Sequence, residues 1–171
     1  MTPRKGAGGG RRRWAREARE LLVDFPRQHA ALLHAMDAFG AEFDLTAFKN
    51  AFEETRDMDA YSRAQVVEHS VARVQTYVAE LAIAGTKLAA LELPKGTNEG
   101  LTERAFAALA QAGVVDPPLA RQLKKAQAAR NRIEHGYVNL SAGEVHAAAE
   151  EIGEISREFI GRYSAWIEPY L

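Results

Sequence analysis

Residues 59–91 read DAYSRAQVVEHSVARVQTYVAELAIAGTKLAAL. Val67, Val71, Val74, Val78, Leu81 and Leu88 lie three, four and seven apart in this stretch, the spacing that lines one face of an α-helix. A helix over 59–91 would be about 50 Å long at 1.5 Å per residue. That is long for a chain of 171 residues, and it predicts a spine against which shorter helices pack. Asp57 or Asp59 is suited to cap its start. Gly85 inside it costs some helix stability.

The same period continues on both sides. Upstream, Pro26 can occupy the first turn of a helix, with Ala30, Leu33, Met36 and Phe39 turned inward and Gly40 as the interruption. Asp44 can cap a short segment whose Leu45, Phe48 and Phe52 share a face. Downstream, Pro94-Lys95-Gly96-Thr97-Asn98 reads as a loop. A helix with Leu101, Ala105, Phe106 and Leu109 buried follows, closed by Gly113. Asp116-Pro117 then supplies a cap and a first-turn proline. Leu119, Leu123, Ala126, Arg130 and Ile133 form the stripe of the next helix. Ser141 and Glu144 have the spacing of a capping box. They open a last helix with the stripe Val145, Ala148, Ile152, Ile155, Phe159, Tyr163, Trp166 and Tyr170. Nothing alternates with period two. The expectation is an all-α, up-down bundle of about five helices.

Charge divides the chain. Residues 1–20 carry seven arginines and lysines against two glutamates, a net +5, and the remainder carries −6. Residues 1–25 are expected to be a flexible, basic, Gly/Arg-rich tail, largely disordered, and residues 26–171 the folded domain. Such a tail is either solvated, sequence ahead of a later start at Met36, or a phosphate-attracting arm. An acidic body with a basic tail is not a general nucleic-acid binder, so any nucleic-acid contact must be local. There is no cysteine, which excludes disulfides, thiolate zinc sites and cysteine nucleophiles. His29, His34, His69 and His146 are scattered, without the spacing of a metal cluster. No apolar run reaches the length of a membrane span, and the expected location is the cytoplasm.

Chemistry concentrates in Arg130-Asn131-Arg132-Ile133-Glu134-His135-Gly136-Tyr137. Arg130 lies on the apolar stripe of its helix, where its charge must be met by a partner. Glu134, four residues on, is one. Asn131 and His135 are also four apart and share a face. Gly136 is placed to end the helix. His135 then sits in the last turn, where unpaired carbonyls favour its protonated form. Tyr137 follows immediately. Singly, each has an ordinary structural use: an ion pair, a helix-end contact, a packing ring. Together, a cationic fork and a group that moves protons near neutral pH suit phosphate chemistry.

The octapeptide, arginine-asparagine, three residues, histidine, any residue, tyrosine, resembles the signature of the HEPN superfamily and, within it, of the HepT-like toxins. The resemblance covers about residues 40–171 and is strongest over 98–140, through Ala105–Leu109, Gly113-Val114-Val115 and Leu119–Leu123. Glu134 departs from the pattern, since a neutral or apolar residue is commoner there; it either orients His135 or repels phosphate. The resemblance implies a helical homodimer whose two motifs meet across a cleft and form a metal-independent ribonuclease with no cofactor of its own. Arg130, Asn131 and His135 are the catalytic residues it implies. It also implies a partner, a cognate nucleotidyltransferase antitoxin that uses ATP to adenylylate Tyr137. Two other readings compete: a non-catalytic subunit that binds a nucleotide or substrate for a nucleotidyltransferase, and a structural dimerisation module.

Overall fold

The long apolar stripe becomes α3, Met58–Leu88. Asp57 caps it through its carboxylate, which accepts from the amides of Asp59 and Ala60 at 3.0 and 3.1 Å. Val67, Val71, Val74, Val78 and Leu81 are fully buried and Leu88 nearly so. Each such side chain contributes about 1.5–3 kcal/mol relative to an exposed one. This computed structural model describes residues 7–96, 98–135 and 140–171. The other helices are α1 Ala7–Asp37, α2 Leu45–Phe52, α4 Leu101–Gln111, α5 Pro117–His135 and α6 Ala142–Ile167, with a short 3-10 turn at Glu168–Tyr170. No strand occurs among the described residues. The fold is all-α, with six α-helices among the described residues where about five were expected. The spine is real, because α3 packs against each of the other five.

The N-terminal expectation is corrected. Residues 7–25 are not a disordered tail, and the helix does not begin at Pro26. One helix runs from Ala7 through Pro26 to Asp37. Its buried face is Ala15, Ala18, Phe25, Leu32 and Ala35, with Ala18, Phe25 and Leu32 seven apart, and α1 packs along α3. Leu33, expected inward, is 43% exposed. Starting the period at Pro26 shifted the face, because the apolar positions upstream are mostly alanines lost among arginines. Those arginines stay on the outer surface, and Arg13–Glu17 and Arg16–Glu20 form i,i+4 pairs. Pro26 removes one backbone donor, yet burial of Phe25 before it and Leu32 after it holds the helix through.

The remaining boundaries follow their caps. Asp44 accepts from the amide of Ala47 at 2.6 Å to start α2; Leu45 is half exposed, and Phe48 carries the burial. Gly113 takes φ +73° after α4, and the amide of Val114 bonds the carbonyl of Leu109 at 2.9 Å. Leu101, at the first position of α4, is also half exposed. Asp116 caps α5 through the amide of Leu119 at 2.9 Å. The capping box of α6 is complete in both directions. No helix among the described residues is long and apolar enough to cross a membrane.

Candidate active site

α5 ends at His135, and its last two turns carry Arg130, Asn131 and His135. Gly136 and Tyr137 lie outside the described residues. Arg130 is only 20% exposed along its side chain, so its charge needs partners, and it has three. Its Nε donates to Thr76 Oγ1 on α3 at 3.2 Å. One terminal nitrogen donates to Asn131 Oδ1 at 3.2 Å. The other meets Glu134 Oε2 at 2.6 Å. The i+4 pairing expected between Arg130 and Glu134 is therefore formed. Glu134 lies in the last turn of α5, where unpaired carbonyls disfavour an anion; the guanidinium offsets that cost.

Asn131 is half-buried, and its Oδ1 accepts a second hydrogen bond, from Gln127 Nε2 at 3.0 Å. Gln127 is reached in turn by Gln75 Nε2 of α3 at 3.3 Å. His135 is exposed and shares the Asn131 face by its spacing. Arg132 points elsewhere. It donates to Glu144 Oε1 of α6 at 2.8 Å, tying the motif helix to the next capping box. That arginine, the Ser141 amide and the Ser141 hydroxyl hold the Glu144 carboxyl well below its ordinary range, at about 2, with the backbone amide as the largest cause.

The motif end of α5 opens onto a groove of about 1300 Å³ between α1, α3, the end of α5 and Leu140. Gln28, Arg73, Thr76, Glu80, Ile133 and Glu134 are among its walls. Thr76 and Glu134, two of the three partners of Arg130, thus belong to both site and groove. Glu80 is pushed above the ordinary carboxylate range by partial burial and by Glu17, against the pull of Arg130. Nearby, Tyr77 donates to Asp24 at 2.5 Å and Gln28 donates to the same oxygen at 2.9 Å. This wall is polar but not basic.

Three contributors were missed from sequence: Thr76, Gln75 and Gln127. Gln75 had a signal, since it falls on the buried face beside Val71, Val74 and Val78. Gln127 had one too, lying four residues before Asn131 on an otherwise apolar stripe. Thr76 had none, because only tertiary packing brings it to Arg130 across 54 positions. Two of the scattered histidines serve packing, while His34 and His69 are exposed. His29 Nε2 is 2.7 Å from the carbonyl of Gly153. His146 stacks on Phe43 at 4.2 Å and bonds the Phe43 carbonyl. Among the described residues no group of three or more metal-ligating side chains comes together.

A family model described as "Ribonuclease HepT-like" matches residues 44–162. The chain belongs to the HepT-like ribonuclease family. Neither a curated protein nor a solved structure matches it. The match spans α2 to α6 up to Arg162 and leaves α1 outside.

Proposed function

We propose that this HepT-like protein is the toxin of a two-component pair. In this reading it is a metal-independent RNA endonuclease acting as a homodimer, and it is neutralised when a nucleotidyltransferase adenylylates Tyr137. The observation that carries the reading is the Arg130 cluster. A permanently charged planar donor is held rigid by Thr76 and Asn131 at the edge of a groove, two helical turns or less from an exposed histidine on the same helix end. Such a guanidinium is suited to stabilise charge on a phosphoryl oxygen.

The chemistry balances without a cofactor. A ribose 2′-oxygen attacks the adjacent phosphorus as its proton passes to a base, and the P–O5′ bond breaks. The 5′-oxygen takes up a proton, leaving a 2′,3′-cyclic phosphate and a 5′-hydroxyl. The imidazole of His135 moves one of these protons, and the equivalent group of the second subunit is the natural candidate for the other. Arg130 stabilises the transition-state charge, and Asn131 fixes its geometry. An AMP group on Tyr137, two residues from His135, would bring anionic charge and bulk to the site that the RNA phosphate must enter.

One observation favours the second reading, a subunit that binds substrate without turnover. Glu134 already occupies one end of the Arg130 fork, where an RNA phosphate must compete. Purified wild type, Arg130→Ala and His135→Ala decide between the two readings. Cleavage by wild type that both variants abolish, with cyclic-phosphate ends, supports the nuclease. Intact RNA with all three proteins, together with retained binding to wild type, supports the binding subunit. Intact mass after co-expression with a nucleotidyltransferase and ATP tests Tyr137: an added AMP that Tyr137→Phe removes is the expected result.

A further inference from the structure

Two glutamines are buried between α3 and α5. Gln75 is fully buried and Gln127 is 5% exposed. Uncharged amides in an apolar core are costly unless bonded, and Gln75 Oε1 has no partner. A seam built only for stability would carry leucines here. The hydrogen bonds instead run in one direction. Gln75 Nε2 donates to the Leu123 carbonyl at 3.4 Å and to Gln127 Oε1 at 3.3 Å. Gln127 Nε2 donates to Asn131 Oδ1 at 3.0 Å. Arg130 donates to that same oxygen.

Both ends of this chain are irreversible. A backbone carbonyl can only accept, and a guanidinium can only donate. Reversing Asn131 would turn its NH2 toward two donors. Reversing Gln75 would turn its oxygen toward two acceptors. Each amide orientation is therefore set by chemistry at both termini. Asn131 is left with its oxygen committed inward and its NH2 on the opposite edge of the planar group.

We propose that Gln75 and Gln127 are positioning residues of the site. They fix the Asn131 carboxamide so that it presents a neutral double donor to an oxygen of the phosphodiester, alongside Arg130. The proposal rests on the nuclease reading for its catalytic consequence, but the relay itself does not. The orphaned Gln75 oxygen is a cost of that orientation, consistent with a seam shaped by the site rather than by stability.

The test is a double-mutant cycle on cleavage of a short RNA, with melting temperature measured in parallel. Gln127→Met removes the relay at nearly constant volume. Its expected effect is a fall in kcat of roughly tenfold with KM little changed. In the Asn131→Ala background the same substitution should have no further effect, because Gln127 acts through Asn131. Equal losses in both backgrounds would overturn the proposal. The pair Gln75→Met/Gln127→Met should melt no lower than wild type, since both amides leave the core together; a lowered melting point with normal turnover would make the glutamines purely structural. Side-chain amide NMR supplies a readout that needs no turnover. The Nε2 protons of Gln127 should exchange slowly in wild type and faster in Asn131→Ala. Unchanged exchange would remove the relay even if RNA is cleaved. Changed exchange in a protein that leaves RNA intact would keep the relay and remove only the nuclease reading.

Discussion

Two faces of the C-terminal half of α3 meet two different kinds of seam. Toward α5, Gln75 donates to the Leu123 carbonyl at 3.4 Å and to Gln127 Oε1 at 3.3 Å, Arg130 donates to Thr76 at 3.2 Å, and one buried oxygen, Gln75 Oε1, goes without a partner. Toward α6, Leu81 and Gly85 meet Phe159, Tyr163 and Trp166. There the Tyr163 hydroxyl, the polar atom of a fully buried ring, donates to the Leu81 carbonyl at 2.6 Å. Its ring packs tilted against Phe159, centroids 5.2 Å apart, and lies edge-on to Trp166. The first seam is polar and carried by side-chain amides; the second is aromatic, its tyrosine hydroxyl bonded and one small polar atom, Ser156 Oγ of α6, left without a partner. A single helix therefore packs the polar cluster around Arg130 on one face and an aromatic seam on another.

The strongest way to break this division is to remove the charge or the imidazole. Arg130→Ala and His135→Ala should each lower RNA cleavage by about 10²–10³-fold. Neither should lower the melting temperature as much as a core truncation. His135 is exposed, and loss of Arg130 releases Glu134 to solvent. A large stability loss in Arg130→Ala with partial activity retained would place Arg130 on the structural side of α3.

Gly85→Ala probes the other side. A Cβ at Gly85 would lie 2.8 Å from both Cε2 and the hydroxyl of Tyr163, and 3.0 Å from Trp166. Tyr163 cannot yield cheaply, because its ring is fully buried and its hydroxyl is pinned to the Leu81 carbonyl. Overpacking of this kind costs about 1–3 kcal/mol, against a gain of about 1 kcal/mol from replacing a helical glycine. The expected net is a loss of stability in urea or thermal unfolding, with cleavage per folded molecule unchanged at 25 °C. Unchanged stability would mean that the second seam is looser than its distances imply.

A smaller effect sharpens the first seam. Glu134→Gln weakens the pair that closes the Arg130 fork. An i,i+4 pair of this exposure is worth up to about 1 kcal/mol, so affinity for a non-cleavable 2′-O-methyl RNA should rise roughly fivefold. A fall in kcat without any change in affinity would instead make Glu134 an orienting partner of His135.

Much of the aromatic seam was legible in the sequence, and little of the polar one. The stripe from Val67 to Leu88 and that of α6 follow from a 3.6-residue period and burial, which are local rules. Asp44, Asp57, Asp116 and Ser141 announced their caps for the same reason. Arg130, Asn131 and His135 stood out as a set because their residue types and spacing suit one kind of chemistry. Thr76 did not, since its role exists only once α3 and α5 have packed. The N-terminal half of α1 was misread because the composition of residues 1–13 outweighed a sparse period-seven face. Ala18 becomes a core position only through what α3 places opposite it. The family match begins at residue 44, so α1 is also the part of the bundle that the family pattern does not describe.

The smallest expected effect concerns the strap between the polar seam and α6. Glu144 completes the capping box and accepts from Arg132 of the motif helix. Its carboxyl is held at about 2, against an ordinary 4.5. A carboxyl depressed on folding stabilises the native state when ionised. Its contribution is therefore complete above about pH 4.5 and is lost as pH falls toward 2. Glu144→Gln keeps an oxygen for the Ser141 amide but loses the charge that Arg132 uses. Its melting temperature should lie slightly below that of wild type at pH 6, and the gap should close between pH 4.5 and 2. The group is exposed, so salt should narrow the gap as well. A gap that stays constant across this range would mean that the hydrogen bond to Ser141, and not the charge toward Arg132, is what Glu144 supplies, and the two helices would then be joined at the motif by packing alone.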